Sequence, residues 1–443
     1  MFLSKSHYTA IDAIRLTFKA SPICAFSHFI LTILRAVIPT ALAALVMAGF
    51  IDTAAAILQG TAPRGDIYLP LALLILVLGI RNTLVPIAQL AAARIRLQLR
   101  RKLNPAMVYK HAALDFKHIE NAESWELISR VSRDPSDAVM RGFDGFMDFV
   151  RILMSVVAIL GLIIVQVWWA ALAILAFSLP LFRLAAWAGK KNYQAGRESE
   201  KFNRRHEYLG EVLTGRENID ERSLFAYADA VTEDWRGQFE AGRILRLAVM
   251  IKMFVVIKAS SMTLGLISLL VALTLINPVI GGYMSAGMYM GIVTAVFGLV
   301  QMLGWTMSDS LEQISRASEY MKDLSGFIAL SGSEGALAEP AAEPLPFSSL
   351  EFRNVRFKYP TGDGYILDGL SFTLDGGRHY AFVGKNGAGK TTITKLLTGL
   401  YREYDGEILI NGKELREYAD GDLKAMFSVV YQDFARVFYF VSG

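Results

Sequence analysis

The sequence predicts a multidomain chain, an all-α bundle of six membrane helices followed by an α/β segment built around a glycine-rich loop. Three observations carry that expectation. Hydrophobic residues make up 53% of the 443-residue chain and charged residues 19%, against about 25% charged in ordinary globular chains. Several apolar stretches exceed the ~20 residues a helix needs to cross a bilayer core. Beyond residue 348 the pattern changes to strand, loop, helix, strand.

Composition closes off some functions. The net charge of +4 is mild and no lysine/arginine-rich tract stands alone, so nothing calls for a nucleic-acid partner. The one cysteine, Cys24, excludes an internal disulfide and any multi-cysteine metal site. His7, His28, His111, His118, His206 and His379 show no ligand spacing and read as ordinary residues.

The membrane part is expected over residues 1–330. Residues 8–20 place Ile11, Ile14 and Phe18 on one helical face with Arg15 and Lys19 beside them, the pattern of a helix lying in the interface. The first two spans follow at 22–50 and 67–93, interrupted by Arg35 and by Arg81 with its neighbour Asn82. Length alone leaves 147–188 as one long helix or two short ones. Charge decides: the segments before it (Arg94 to Arg141) and after it (Lys190 to Arg243) are both strongly basic, and basic segments near the membrane stay cytoplasmic. Two crossings, 147–165 and 169–188, keep both inside, with Trp168 and Trp169 at the interface between them. A further apolar region, broken by NPVIGG at 277–282, gives spans at 247–276 and 284–308. This topology puts the N-terminus in the cytoplasm. The two basic segments have apolar positions three and four apart and are expected to be membrane helices continuing into the cytoplasm. Charges inside spans usually face a cavity or a partner. Arg35, Arg81 and Asn82 are therefore candidates for a substrate path that attracts anionic groups, and equally for structural pairing or snorkelling.

Residues 331–347, rich in Ala, Glu, Pro and Ser, form a linker extended by Pro340, Pro344 and Pro346. The second domain is expected over 348–443. Its elements are strands at 350–359 and 366–377, a short apolar strand HYAFVG at 379–384, a helix in TTITKLLTGL, an Asn411-Gly412 hairpin, and a buried-type strand FSVVYQ at 427–432. Between strand and helix, Gly384, Lys385, Asn386, Gly387, Ala388, Gly389, Lys390 and Thr391, followed by Thr392, match G-x-x-x-x-G-K-[ST] in full. That loop curls so that backbone N–H groups point at phosphate oxygens, and the helix adds its positive end. Lys390 reaches the terminal phosphates and Thr391 offers its hydroxyl to Mg²⁺.

With those residues in view, the chain resembles a half-transporter of the ATP-binding cassette (ABC) exporter type, the bacterial members most closely. The resemblance covers essentially the whole length, and its most specific motifs lie in the nucleotide part. It implies ATP and Mg²⁺ as ligands, Tyr359 as the aromatic that stacks on adenine, and Gln432 as the glutamine that senses Mg²⁺ and nucleotide. Short helices at the tips of the cytoplasmic extensions, near 119–130 and 221–231, would dock on the nucleotide domain. The resemblance also implies a multi-pass protein of the bacterial cytoplasmic membrane in contact with lipid, a second half-transporter as partner in a homo- or heterodimer, and an exported substrate it does not identify.

The pattern departs from the family after Gln432. The LSGGQ signature, the Walker B carboxylates and the switch histidine have no counterpart within 348–443, and the apolar VFYFVSG at 437–443 differs from the polar sequence expected there. The nucleotide domain is thus expected to be incomplete and the chain a fragment, with no hydrolysis of ATP by this chain alone. The alternative is a membrane protein that binds nucleotide without hydrolysing it, as a regulator or an inert partner subunit.

Overall fold

A computed structural model describes the chain apart from residues 1, 4, 167, most of 169–201, 334, 344, 361, 363 and 431–443. It divides into two compact units: one comprises His7–Leu103 and Asp134–Lys322, the other Met1–Ser6, Asn104–Arg133 and Asp323–Gly443.

The described residues of 7–329 are helical apart from short connections; those of 104–133 and 323–329 belong to the second unit, and the rest to the first. Helix α1 (Ala10–Ala20) leads into α2 (Pro22–Val37), a π-helical turn (Ile38–Leu42) and α3 (Ala43–Leu58). Pro39 sits inside that turn. With no N–H to give, it cannot close the ordinary ladder on the Arg35 carbonyl, and a wider turn takes up the mismatch. Helix α4 (Tyr68–Ala112) runs 45 residues, and α5 (Phe116–Glu120), α6 (Ala122–Ser132) and α7 (Pro135–Gln166) follow. Residues 202–214 form α8, then come α9 (Ile219–Phe225), the 53-residue α10 (Ala228–Ile280) and α11 (Ala286–Ala329). Stretches long and apolar enough to cross a membrane run over Pro22–Leu58, Arg64–Ala112 and Pro135–Ile164, with shorter apolar helical pieces at Ser268–Ile280 and Ala286–Gly298. Helices also cover the residues of the expected spans 22–50, 67–93, 147–165, 247–276 and 284–308, apart from Ile67 in a 3-10 turn and Met284 and Ser285 ahead of the last helix. The one at 169–188 lies almost wholly outside the described residues. The turn after Ile280 is where NPVIGG predicts a break.

One helical face differs from the expectation. On α1 the buried residues are Asp12, Ala13, Leu16, Thr17 and Ala20, while Ile11 is exposed and Ile14 and Phe18 are half-buried. The helix packs on α7 and leaves Ile11 outward: Phe18 meets Phe143 edge-on at 6.4 Å. Asp12 tolerates burial because it accepts hydrogen bonds from the Thr9 backbone N–H (2.9 Å) and hydroxyl (3.0 Å), closing a capping box.

Helices α3 and α11 cross on small residues. A Cβ built on Gly287 would lie 2.1 Å from the Ala48 carbonyl, and one on Gly291 2.6 Å from that of Ala44. GMYMG (287–291) is a small-xxx-small face against Ala44 and Ala48, which lets backbones approach closely. Asp52 accepts a hydrogen bond from the Gly287 N–H at 2.7 Å, satisfying one open donor at the start of α11. Around the crossing lies a core of Ile159, Ile163, Leu275, Ile292 and Val296.

In the second unit, β1 (Ser349–Phe357), β2 (Leu367–Asp375), β3 (Asp405–Ile410) and β4 (Lys413–Glu414) form an antiparallel sheet in the order β2-β1-β3-β4. The Asn411-Gly412 hairpin forms where the sequence placed it. Helix α12 (Lys390–Leu397) buries Ile393 and Leu396 against Phe352, Val355, Phe357 and Ile408 of that sheet, and α13 (Asp420–Met426) follows. Two expected strands are not strands. Residues 379–384 make no ladder: Phe382 rests edge-on against Phe372 at 5.6 Å, the Tyr380 hydroxyl accepts from the Asp375 N–H at 2.9 Å, and Val383 is 94% exposed. Residues 427–430 are likewise unpaired, with Val430 92% exposed. An apolar run becomes a buried strand only when neighbours accept its N–H and C=O groups, and no described residues pair with these two.

The linker also departs from an extended tether. Lys424 Nζ donates to the carbonyls of Gly335, Ala336 and Ala338 (3.2, 2.8 and 2.8 Å), and Ala341 N–H donates to the Gly421 carbonyl at 2.9 Å. At its far end Asn411 Nδ2 donates to the Pro346 carbonyl, and Asn411 Oδ1 accepts from the Ser348 N–H at 2.7 Å. These partners stand sixty or more residues away in sequence, so local composition carries no trace of them.

Gly287→Val is expected to destabilise the protein by about 1–3 kcal/mol through overpacking at the α3–α11 crossing. Gly298→Ala, where a Cβ meets nothing within 4 Å on the same helix, leaves stability near wild type. Thermal unfolding of the detergent-purified chain reads both.

Candidate nucleotide-binding site

The glycine-rich loop follows the unpaired 379–384 segment and opens directly into α12. Gly387 (φ 84°) and Gly389 (φ 86°) occupy the left-handed region, which side-chain-bearing residues enter only at a cost. Gly389 has a second reason to be glycine: a Cβ there would stand 2.7 Å from Leu367 Cδ2. Gly384 has neither constraint. The sequence treats the three glycines alike, and the geometry separates them. Lys390 Nζ donates to the carbonyls of Gly384 (2.8 Å) and Lys385 (2.9 Å), drawing the loop around its own ammonium. Lys385, Asn386, Ala388 and Thr391 are exposed at the rim, whereas Thr392 is buried.

Tyr359 stands just past the end of β1, half-buried. Its hydroxyl is 3.0 Å from Thr392 Oγ1, so the loop-to-helix junction and the proposed base platform share a hydrogen bond. Phe357 and Tyr401 meet its ring edge-on at 5.1 and 5.5 Å. Lys395 Nζ lies 5.2 Å from its centroid, within cation–π range. Gln432 lies outside the described residues.

The first loop tip belongs to this same unit. Glu120, the last residue of α5, accepts from both Lys395 Nζ and the Tyr401 hydroxyl, Phe116 meets Tyr401 edge-on at 5.8 Å, and Lys117 pairs with Glu403 at 3.6 Å. Burial works against the Lys395 ammonium, yet the Glu120 carboxylate outweighs it and raises the pKa. Burial and then Glu120 push the Tyr401 hydroxyl upward. Of the two tips singled out in sequence, the one near 119–130 thus meets the nucleotide segment at its start, through Glu120 and the rest of α5. The other, around α9, lies in the first unit with Leu224 and Phe225 exposed.

Sequence reading passed over His118. Its Nε2 is 2.9 Å from Ser331 Oγ, and Ser331 in turn donates to Asp115. Ser331 Oγ therefore accepts from Nε2–H, leaving Nδ1 as the acceptor toward Ser124 Oγ at 3.5 Å. Only contacts spanning some two hundred residues mark this histidine. The candidate substrate-path residues separate as well: Arg35 lines a cavity in the first unit, while Arg81 and Asn82 are exposed on α4.

Residues 367–442 match the family described as ABC transporter. The subtilin transport ATP-binding protein of Bacillus subtilis is 25% identical, over 79% of this chain and 57% of that protein. An ATP-dependent lipid A-core flippase of Chromobacterium violaceum is 25% identical, over 84% of this chain and 62% of the flippase. The chain is thus similar to ABC transporters, over 367–442 by the family match and over most of its length by these two relatives. An uncharacterized ABC transporter ATP-binding protein of Bacillus subtilis adds 42% identity over a shorter stretch, 20% of this chain and 15% of that protein. The chain spans less than two thirds of the length of these relatives. The loop at 384–392 lies within the stretch that matches this family, and apolar helices precede it.

The pKa of His118 is lowered by burial and then by the Lys117 charge. The folded form therefore holds the neutral ring, and the unfolded form takes up the proton first as pH falls below histidine's ordinary value of 6.5. Stability from this junction is present above that pH and lost below it. Amide exchange in 115–124, corrected for its intrinsic rate, is expected to quicken between about pH 7.5 and about pH 5.5. His118→Gln is expected to flatten that dependence.

Proposed function

We propose that this chain is a subunit of an ATP-driven exporter of the bacterial cytoplasmic membrane, working as a dimer with a second half-transporter. Residues 1–330 form its membrane part, 331–347 the connection and 348–443 nucleotide-binding sequence. The N-terminus and nucleotide part face the cytoplasm. The conformation of the 384–389 loop carries the reading: two left-handed glycines and an inward-held lysine at the start of a helix are the arrangement phosphates require.

In this reading the loop N–H groups and the start of α12 bind the phosphates, and Lys390 exchanges its two carbonyl partners for phosphate oxygens. Tyr359 provides a face for adenine, and Thr392 holds that ring by its hydroxyl. The Thr391 hydroxyl, with Gln432, faces Mg²⁺. No group of three or more His, Cys, Asp or Glu that could cage a metal occurs among the described residues. That fits Mg²⁺, which takes one or two protein ligands and fills its shell with phosphates and water. When bound, the ion neutralises phosphate charge. Movement at the nucleotide reaches α5 through Lys395 and Glu120, and from there the helices that follow. One relative's name speaks of subtilin transport and another's of a lipid A-core flippase, so a lipid-like or amphipathic substrate suits the apolar helices here.

Binding of a fluorescent ATP analogue to the whole chain in lipid nanodiscs tests this. Lys390→Ala is expected to weaken affinity roughly 10- to 100-fold, the loss of charge-assisted hydrogen bonds. Thr391→Ala is expected to abolish the gain from added Mg²⁺. Binding unchanged by Lys390→Ala would remove the nucleotide role from this loop, and tight binding without turnover would favour the non-hydrolysing regulator.

Tyr359→Leu is expected to weaken ATP about 2- to 10-fold through loss of stacking, while affinity for inorganic triphosphate stays at the wild-type value. Competition titration of the two ligands separates these effects.

A further inference from the structure

The membrane unit holds a cavity of about 330 Å³ lined by His28, Thr32 and Arg35 of α2, Gln89 of α4, Asp144, Asp148 and Arg151 of α7, and Gln313 of α11. That volume lies at the small end of ligand sites. Two interlocking faces build it. His28, Thr32 and Arg35 share one side of α2, and Asp144, Asp148 and Arg151 one side of α7, by their three- and four-residue spacing. The two helices run side by side in the same direction, since His28 packs on Phe143 with ring centroids 5.7 Å apart and Ser155 Oγ donates to the Ala36 carbonyl at 3.3 Å. The His28–Asp144 level and the Arg35–Arg151 level are therefore about 10 Å apart along the axes.

The charges lining the cavity are not matched among themselves. Asp148 pairs with Arg151 at 2.9 Å, yet the buried Arg151 Nε has no hydrogen-bond partner. Arg35 makes no hydrogen bond or ion pair with any described residue. Among the described residues Asp144 has only Arg96, at 3.9 Å, the outer limit of an ion pair. His28 is committed elsewhere, its Nδ1–H donating to the Ala88 carbonyl at 3.2 Å. One end of the cavity thus keeps a carboxylate short of cations, and the other a guanidinium and an open N–H short of acceptors. Such groups inside a membrane domain are costly unless something pairs them. Arg35 also stands one turn before Pro39 and the π turn, a local irregularity common beside functional sites.

We propose that this cavity binds a small zwitterion, its ammonium against Asp144 and its phosphate or carboxylate against Arg35 and Arg151. A lipid headgroup of the phosphoethanolamine kind and free phosphoethanolamine share that chemistry. The proposal extends the reading of Arg35 as part of a substrate path and rests on it, but needs no nucleotide, so its outcome is independent of the ATP site.

Native mass spectrometry of the full chain in detergent, titrated with phosphatidylethanolamine or phosphatidylglycerol, tests it. The expected result is at least about tenfold tighter retention of phosphatidylethanolamine, the scale of one charge-assisted contact. Arg35→Gln and Asp144→Asn each abolish the preference, Arg35→Lys and Asp144→Glu keep most of it, and Arg81→Gln leaves it unchanged. Free phosphoethanolamine that displaces the lipid assigns the site to the soluble molecule as well. Displacement absent, the headgroup in its bilayer is the occupant. Equal retention of the two lipids, or a preference that survives both Arg35→Gln and Asp144→Asn in variants with wild-type melting temperature, overturns the proposal. Should either neutral variant fail to fold, loss of the preference in the conservative variants alone would also count against the charge pairing.

Discussion

The first unit answers to one constraint: hydrocarbon offers a backbone no hydrogen-bond partners, so every N–H and C=O must be satisfied within the helix or by a neighbour. Long helices follow directly. Exceptions stand where another group steps in. Thr40 Oγ1 donates to the Ala36 carbonyl at 2.6 Å beside Pro39, and Asp52 takes the Gly287 N–H. Where backbones come closest, at Gly287 and Gly291, side chains have been removed altogether, since van der Waals contact between backbones drives helix association where lipid is as apolar as leucine.

The second unit obeys a different rule, because its segments face water and must earn their order through side chains. Glu120 illustrates it. A single carboxylate accepts hydrogen bonds from an ammonium on α12 and a phenol beyond it, and both neighbours touch Tyr359. The loop tip, the helix after the phosphate loop and the ring past β1 consequently form one hydrogen-bonded and aromatic cluster. A change at any member is felt by the others, because the interior leaves little room for independent adjustment.

Much of this was legible in the residues. Apolar length marked the long apolar helices, and the full G-x-x-x-x-G-K-[ST] match marked the loop ahead of α12. Asn411-Gly412 gave its turn because two residues suffice to specify one. What escaped local reading depends on partners far along the chain. HYAFVG and FSVVYQ have strand composition, but a ladder is a property of two segments, not one. His118 and His28 look alike in sequence; one joins Ser331 and Asp115, the other lines a charged cavity. On α1 the helix was foreseeable and its buried face was not, since α7 selects it. Arg35 and Arg81 interrupt similar apolar runs, and only packing sets one in a cavity and the other on a surface.

The connection between α11 and β1 changes character once its fastenings are counted together. Ser331 is tied to Asp115 and His118, Ser333 to Asp420, residues 335–341 to Lys424 and Gly421, and Pro346 and Ser348 to Asn411. A free chain of seventeen residues would give its ends about 23 Å of play. Here fastenings recur along the described residues of the segment, so it has the mechanics of a strut. Slack is what allows two joined parts to move without informing each other, and this chain has almost none at that joint. A displacement of β1 is handed to the end of α11 nearly undiminished.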